Sequence, residues 1–186
     1  MRTLRIAPAL AADTWHAGHD PSGLVRVELD GPGRGVRVTL AEGAPGPEDV
    51  GAAVVAAYSD AVVVRMSAWA MESSLPAPVP YDEPAAEQFA TLRDAHRELA
   101  VFRRRLAELR AVPVTVETAG VAVTVRDGRP VDVRFTRVHA DLADAIAAGL
   151  QAALTAVAEQ PAAALARCPA LRAVLGTSRL PLPFAL

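Results

Sequence analysis

An internal repetition constrains the fold of this chain more than any other feature. From residue 23 the chain reads GLVRVELDGPGRGVRVTL, and from residue 120 it reads GVAVTVRDGRPVDVRFT. Each stretch runs glycine, strand, turn, strand, and then continues into an acidic loop and an Ala-rich segment. Such internal similarity indicates a duplicated structural unit, and the alternative is two unrelated αβ modules of similar composition. One small sheet unit leaves a face and edges exposed, so we expect the two copies to cover each other as a pseudo-dimer within one polypeptide.

The strands of the repeat show alternating apolar and polar residues. Over residues 24–30, Val25, Val27 and Leu29 share one face, and residues 35–40 return after a Gly-Pro-Gly-Arg turn. This pattern predicts a β-hairpin with one buried face. In the second copy, three strands are predicted over residues 113–118, 121–126 and 131–137, with Asp-Gly at one turn. Strands that alternate with helices in this order predict an α+β fold of two tandem antiparallel units.

Two long helices are predicted. Pro47, followed by two acids, is typical of a helix start, and the helix would cover residues 47–71 with Val50, Val54, Tyr58, Ala61 and Met66 near one stripe. The second helix, over residues 85–111, carries a seam with a spacing of three and four residues. Its members are Phe89, Leu92, His96, Leu99, Phe102, Leu106 and Leu109. We expect His96 to be a packing or a polar specificity position in that seam.

A last helix is predicted to start at Asp141, with Asp144 in a capping-box-like position three residues later. Pro161 and Pro169 should divide the chain that follows, and Gly176 should end it. The predicted organisation is therefore a first half over residues 1–72 without a full opening helix, a proline-rich linker over 73–84, a second and more complete half over 85–176, and an apolar tail over 177–186.

Composition excludes several classes of protein. The 186 residues include 19 arginines and no lysine, 21 acids and one cysteine, with a formal net charge of −2. A lone cysteine, Cys168, forms no intramolecular disulfide and excludes the common zinc sites built on two to four cysteines. No uninterrupted apolar run reaches the roughly 18 residues that a membrane span needs. The start of the chain is a poor secretory signal, so we expect a cytoplasmic protein.

Catalytic and metal-binding patterns are weak. Asp13, His16, His19 and Asp20 form the only cluster with ligand chemistry suited to Zn²⁺, but the spacing lacks helical pairing, and histidines without a metal are far more common. Cys168 lies among Ala and Leu, which is typical of a buried small apolar residue. No glycine-rich phosphate loop joins a strand to a helix, and no Ser/His/Asp set stands out. We therefore predict no enzyme activity, cofactor or metal.

Residues 114–136, VTVETAGVAVTVRDGRPVDVRFT, are a glycine-linked strand pair, a turn and a third strand ahead of an Ala-rich helix. With the preceding long helix, this segment resembles the YbaB/EbfC family of small bacterial nucleoid-associated proteins. The first half, SGLVRVELDGPGRGVRVTL followed by PEDVGAAVVAAYSDA, is similar to the family's strands and second helix. The resemblance implies a dimer that holds duplex DNA without strong sequence preference, here with both halves supplied by one chain in the nucleoid.

Arginines of the predicted helix over residues 85–111 are the candidate contacts to DNA. Arg93, Arg97 and Arg104 fall within about 40° of one another, away from the apolar seam. Arg103, Arg105 and Arg110 add charge near the helix end. Such a stripe can follow a phosphate backbone, while the alternative is an ordinary solvated helix face.

Arginines on the predicted strands also allow two interpretations. Arg26, Arg37, Arg126 and Arg134 either extend the positive surface or are neutralised by Glu28, Asp127 and Asp132. The low net charge, the apolar tail over residues 180–186 and the Ala/Val-rich helices favour a second hypothesis. In that hypothesis the chain is a protein–protein adaptor on a scaffold that has lost DNA binding, with a protein partner or self-association in place of DNA.

Overall fold

The computed structural model describes residues 13–44, 46–72, 86–137 and 141–177. The predicted linker, residues 178–186 of the predicted tail, and residues 1–12 lie outside the described residues. The described part contains β1 (Trp15–His19), β2 (Val25–Asp30), β3 (Val36–Leu40), α1 (Pro47–Glu72), α2 (Ala86–Ala111), β4 (Val114–Thr118), β5 (Val121–Arg126), β6 (Arg129–Phe135), α3 (Leu142–Ala158), α4 (Gln160–Leu165) and α5 (Pro169–Thr177).

The strands form two three-stranded antiparallel sheets, β1-β2-β3 and β4-β5-β6, which confirms the α+β class. The two sheets have the same register at their centres. In the first sheet Val27 of β2 lies between Gly18 and Val38, and in the second Val123 of β5 lies between Val116 and Val133. Tight turns carry positive φ at Gly33 and at the Asp-Gly pair before β6, where an ordinary L-residue is strained.

Helix packing relates the two halves by an approximate twofold. Helix α1 packs on β1 and β2 of its own sheet and on β6 of the other sheet. Helix α3 does the equivalent, packing on β4 and β5 of its own sheet and on β3 of the first. Each helix therefore closes its own unit and covers an edge strand of the other, which is the expected pseudo-dimeric arrangement.

A single apolar core runs through both halves. Six of its members in the first half recur in the second half with a constant spacing of 96 residues, and each of these twelve residues has at most 1% of its surface exposed. They are Val25, Val27, Leu29, Val50, Val54 and Ala57, which match Val121, Val123, Val125, Ile146, Leu150 and Ala153 in order. Because these twelve side chains share one cluster, neither half buries its apolar face without the other.

Glycines allow α1 to lie unusually close to two strands. A methyl group on Gly18 of β1 would overlap the backbone nitrogen of Ala61 and the carbonyl oxygen of Ala57. On the helix itself, a methyl group on Gly51 would overlap the carbonyl oxygen of Val133 in β6. The first contact lies within one half and the second joins the two halves, so α1 is held against backbone on both sides.

Strand β1 is absent from the sequence-based prediction, which gave the first half a hairpin only. Its sequence, WHAGH, followed by Asp20, places a histidine, a glycine and an aspartate on the buried face instead of branched apolar residues. Without an apolar alternation, the segment carries no strand signal of its own. Met66 was also assigned wrongly to the buried stripe of α1, since 38% of its surface is exposed where the helix extends beyond the sheets.

Helix α2 lies outside the main core and packs on α4 and α5. Ala95, Cys168 and Leu171 are buried in this smaller cluster, with Leu99 and Phe102 packed against it. The predicted seam is wrong at its N-terminal end. His96 is exposed, and Phe89 and Leu92 expose 49% and 46% of their surfaces, because the short helices α4 and α5 do not cover these positions.

The prolines divide the C-terminal chain as expected. Pro161 lies in the first turn of α4 and Pro169 begins α5. Helix α3 begins after Asp141, whose carboxylate accepts a hydrogen bond from the backbone N–H of Asp144 at 3.3 Å. Gly176 does not end α5, which runs to Thr177.

Two helical segments, Asp49–Met71 and Leu142–Leu165, are long and apolar enough to span a membrane by length and composition. The first segment lies in α1 and the second starts in α3, and both of these helices pack against the sheets. Of the most apolar 18-residue stretch in each segment, 44% and 28% respectively is buried inside the protein. Core helices of water-soluble proteins meet the same criteria, so this composition is weak evidence for a membrane span.

Candidate nucleic-acid interface and axial cavity

Three arginines on α2 form an exposed row, which we call the α2 stripe: Arg93, Arg97 and Arg104. They project from the helix face opposite the one that packs on α4 and α5. From Arg93 to Arg104 the helix rises about 16 Å. The stripe therefore presents several guanidinium groups along one straight, rigid and solvent-facing edge.

Acidic residues of α2 neutralise little of this charge. Asp94 pairs with Arg97 at 3.4 Å, whereas Glu98 turns to the other side of the helix. The Oε2 atom of Glu98 accepts a hydrogen bond of 2.8 Å from the backbone N–H of Leu171, in the first turn of α5. A carboxylate is favourable there because the helix N-terminus carries partial positive charge. Within the described ranges, neither Arg93 nor Arg104 has an ion-pair partner.

The other three candidate arginines are not part of this row. Arg103 is exposed but lies on a different side of the helix, and Arg105 is half-buried. At the end of α2, the carbonyl oxygen of Arg110 accepts a hydrogen bond of 2.8 Å from Asp127 in the β5–β6 turn. Burial lowers the pKa of Arg110 and the nearby charge of Asp127 opposes that effect. The helix thus separates the six predicted contacts into a row of three and three scattered positions.

Two strand arginines are neutralised, but by a neighbour on the same strand face and not by a residue across the sheet. Arg26 pairs with Glu28 at 2.6 Å, and Arg134 pairs with Asp132 at 2.7 Å. Arg37 lies over the ring of Trp15, 3.7 Å from its centroid. All three guanidinium groups are therefore engaged in contacts within their own sheets.

Strand geometry separates the residues of the possible metal cluster. His16 faces the core and His19 faces solvent, because residues an odd number apart point to opposite sides of a strand. Asp20 accepts hydrogen bonds from the Ser22 hydroxyl and from the N–H groups of Ser22 and Val25. Across the described part of the chain, no three His, Cys, Asp or Glu side chains converge in a way that could hold a metal ion.

A cavity of about 370 Å³ lies between the two halves, and we call it the axial cavity. Helices α1 and α3, the β2–β3 and β5–β6 turns, and the ends of α2 and α4 form its walls. Four arginines line it, namely Arg34, Arg65, Arg110 and Arg129. Tyr58, Gln151, Thr155 and Gln160 add polar groups to the same lining.

Sequence reasoning assigned residues 31–35 to a turn only and did not identify this cavity. One signal was present in the repeat, since Gly33-Arg34 and Gly128-Arg129 are the same dipeptide at matching positions of the two hairpins. The twofold brings both dipeptides to one place, which the sequence of a single half does not indicate.

Comparison with known proteins identifies no relative of this chain: no family model, no curated protein and no solved structure matches it.

Proposed function

We propose that this protein binds duplex DNA without strong sequence preference, through contacts between the α2 stripe and phosphates. The observation that carries the proposal is the exposure of Arg93, Arg97 and Arg104 on one face of a helix supported from behind by α4 and α5. Arginine is well suited to this role because its planar guanidinium binds phosphate oxygens in pairs and remains charged.

A net charge of −2 for the whole chain does not argue against DNA binding, because the charge is unevenly distributed. Helix α2 holds six arginines and four acids, so its own charge is positive while the rest of the chain is acidic. The length of the stripe also fits, because about 16 Å exceeds the roughly 12 Å width of the major groove of B-DNA. The stripe can therefore contact phosphates on both sides of that groove.

The resemblance to the YbaB/EbfC family supports the same function. The family's dimer would here correspond to the two halves of one chain, and the approximate twofold agrees with such a correspondence. A bacterial, cytoplasmic protein located in the nucleoid, without enzyme activity, follows from this proposal.

A salt titration tests the proposal. Fluorescence anisotropy with a duplex of mixed sequence should show affinity falling steeply with salt, because binding releases counterions from the phosphates. Arg93→Ala, Arg97→Ala and Arg104→Ala combined should lower the magnitude of the log–log slope by about 3, and should weaken binding to all sequences alike.

The matched control removes three exposed arginines elsewhere, Arg26, Arg134 and Arg172. It causes the same change in net charge and should retain most of the affinity. Equal loss in both triple variants would show that overall charge, and not the α2 stripe, drives binding. Absence of binding at low salt in the unmodified protein would reject the proposal.

An adaptor is the second candidate, and exposed apolar residues at the end of α1 favour it. Val63, Val64, Met66 and Met71 expose 62%, 40%, 38% and 84% of their surfaces on this one helix. An apolar surface of this kind is typical of a protein-binding site. If DNA binding fails, Val63→Ser with Met71→Ser should abolish the retention of a stoichiometric partner, and unchanged retention would reject this second candidate.

A further inference from the structure

The axial cavity is built from matching positions of the two halves. Tyr58 of α1 corresponds to Leu154 of α3, and Val62 corresponds to Ala158, by the same spacing of 96 residues that relates the core. The two Gly-Arg turns also line it, Gly33-Arg34 from the first half and Gly128-Arg129 from the second. Because of the duplication, each hairpin contributes one arginine to the lining of the cavity.

Arg65 has no charged counterpart in the second half, since the matching residue in α4 is Pro161. Only 8% of its surface is exposed, yet its side chain lines the cavity. Its guanidinium lies against Gly33, where a methyl group would overlap the Nη1 atom. No carboxylate of the described residues pairs with it. A buried guanidinium without an opposite charge is costly, so this arrangement favours an anion.

The rest of the lining agrees with an anion. Its residues, as far as the structure describes them, include four arginines and no carboxylate. Burial raises the pKa of Tyr58, and the charges of Arg65 and Arg129 partly oppose that rise. The Tyr58 hydroxyl is therefore neutral at ordinary pH and can donate a hydrogen bond beside two guanidinium groups.

We propose that the axial cavity binds a small molecule carrying a diphosphate group. Two arginines from opposite hairpins and a third from α1 surround a space of about 370 Å³, which is within the range of small-molecule sites. Each guanidinium can hold two phosphate oxygens, so Arg34 and Arg129 would engage the two phosphates from either side and Arg65 would bind from the floor. This ligand site is separate from the α2 stripe.

Calorimetric titration of the full chain with inorganic pyrophosphate, in a buffer free of phosphate and sulfate, tests the proposal. Saturable binding with one site per chain is expected. Arg129→Gln and Arg34→Gln each should raise the Kd at least about tenfold, because each removes a charge-assisted contact to phosphate. The side chains of Arg34 and Arg129 are both exposed, so these variants should keep the fold. Arg65 is buried, so Arg65→Gln should abolish binding, and its circular dichroism spectrum is needed to check that it folds.

Arg172→Gln is the matched control, because it removes the same charge from an exposed position of α5 that does not line the cavity, and it should leave the Kd for pyrophosphate unchanged. Equal weakening by Arg172→Gln and Arg129→Gln would overturn the proposal, as would the lack of saturable binding up to about 10 mM pyrophosphate.

A second titration, in the presence of duplex DNA, separates a free diphosphate from the phosphates of a DNA backbone. We expect DNA not to compete with pyrophosphate, and Arg129→Gln not to weaken DNA binding. Competition would show that the cavity belongs to a DNA interface and would overturn the assignment of a small ligand. The two proposals can therefore fail independently. Variants of the α2 stripe test DNA binding, and variants of the axial cavity test pyrophosphate binding.

Discussion

The two halves have the same core but build their first strands differently. The buried face of β1 presents His16, Gly18 and Asp20, and the corresponding face of β4 presents Val114, Val116 and Thr118. In the first half, a glycine on the strand lets α1 approach. In the second half the glycine is on the helix, where a methyl group on Gly149 of α3 would lie 3.1–3.2 Å from side chains of β5. The close packing of helix on sheet thus depends on a strand glycine in the first half and on a helix glycine in the second.

The halves also differ beyond the sheets. Helix α1 continues straight to Glu72, and its last turns expose apolar side chains. In the second half α3 ends at Ala158, and the short helices α4 and α5 that follow pack on α2. The duplicated core therefore carries two unlike extensions. One displays arginines on a supported helix, and the other displays an apolar helix end.

The largest effect on stability should come from adding a side chain at Gly18, where β1 lies against the backbone of α1. Gly18→Ala places a methyl group into the backbone of α1, which has no flexible side chain that could move aside, so we expect a loss of about 3 kcal/mol in the free energy of unfolding. The control, Gly149→Ala, should change it by less than about 1 kcal/mol, because the valine side chains it meets can adjust and alanine favours the helix. Urea denaturation measures both, and equal effects would show that the two contacts are alike.

Truncation of matched core residues should have the next largest effect. Leu150→Ala should cost about 2–3 kcal/mol of unfolding free energy, and Val54→Ala rather less, because it removes fewer atoms. Trp15 and Trp69, the chain's two tryptophans, lie in the first half. If the core is shared, Leu150→Ala in the second half must shift the unfolding midpoint seen by tryptophan fluorescence as far as the midpoint seen by circular dichroism. Separate midpoints would show that the halves unfold independently.

Local pattern and the repeat were sufficient to predict most of the fold. The alternation at Val25, Val27 and Leu29, and its copy in β5, gave the hairpins and their buried faces. The α+β class and the pairing of the halves followed from the repetition. Strand β1 could not be predicted in this way, because a glycine and two polar residues are buried there for contacts that only the tertiary structure provides.

Candidate sites were less predictable than the fold, for a related reason. Helical periodicity placed Arg93, Arg97 and Arg104 correctly in one exposed row. It could not show that Arg110 ends at the β5–β6 turn, since that contact joins distant parts of the chain. The axial cavity depends on two turns 95 residues apart meeting across the twofold, a relation that no local window of the sequence contains.

A smaller effect, and a stabilising one, is expected where β1 buries a histidine. The Nε2 atom of His16 is buried without a hydrogen-bond partner among the described residues, whereas the corresponding residue of β4 is Val114. His16→Val should raise the free energy of unfolding by about 1 kcal/mol, because it removes an unsatisfied buried polar atom. His19→Val, on the exposed side of the same strand, should have little effect. Destabilisation by His16→Val would mean that the imidazole makes a contact worth more than the desolvation of Nε2.

The smallest expected effect is the contribution of the Asp20 carboxylate to the free energy of unfolding, and it depends on pH. Hydrogen bonds from the Ser22 hydroxyl and from the Val25 and Ser22 backbone N–H groups lower the pKa of Asp20, against the opposing effect of burial. Its folded-state pKa thus lies below the value of about 3.9 of an unfolded aspartate. The carboxylate therefore stabilises the fold at any pH above that value, and the contribution is lost as the pH falls through the folded-state pKa. Thr118, at the corresponding position of β4, does not titrate.

Asp20→Asn should accordingly be less stable than the unmodified protein at pH 7, and the difference should shrink as the pH is lowered below about 4. The asparagine keeps the shape of the side chain but loses the charge that the three donors stabilise, so both proteins resemble each other once Asp20 is protonated. Urea denaturation at several pH values between 7 and 2 gives the comparison. Asp13→Asn, at an exposed carboxylate ahead of β1, is the control and should run parallel to the unmodified protein. A pH-independent difference for Asp20→Asn would show that the hydrogen bonds, and not the charge they hold, account for the role of Asp20 in closing the β1–β2 connection.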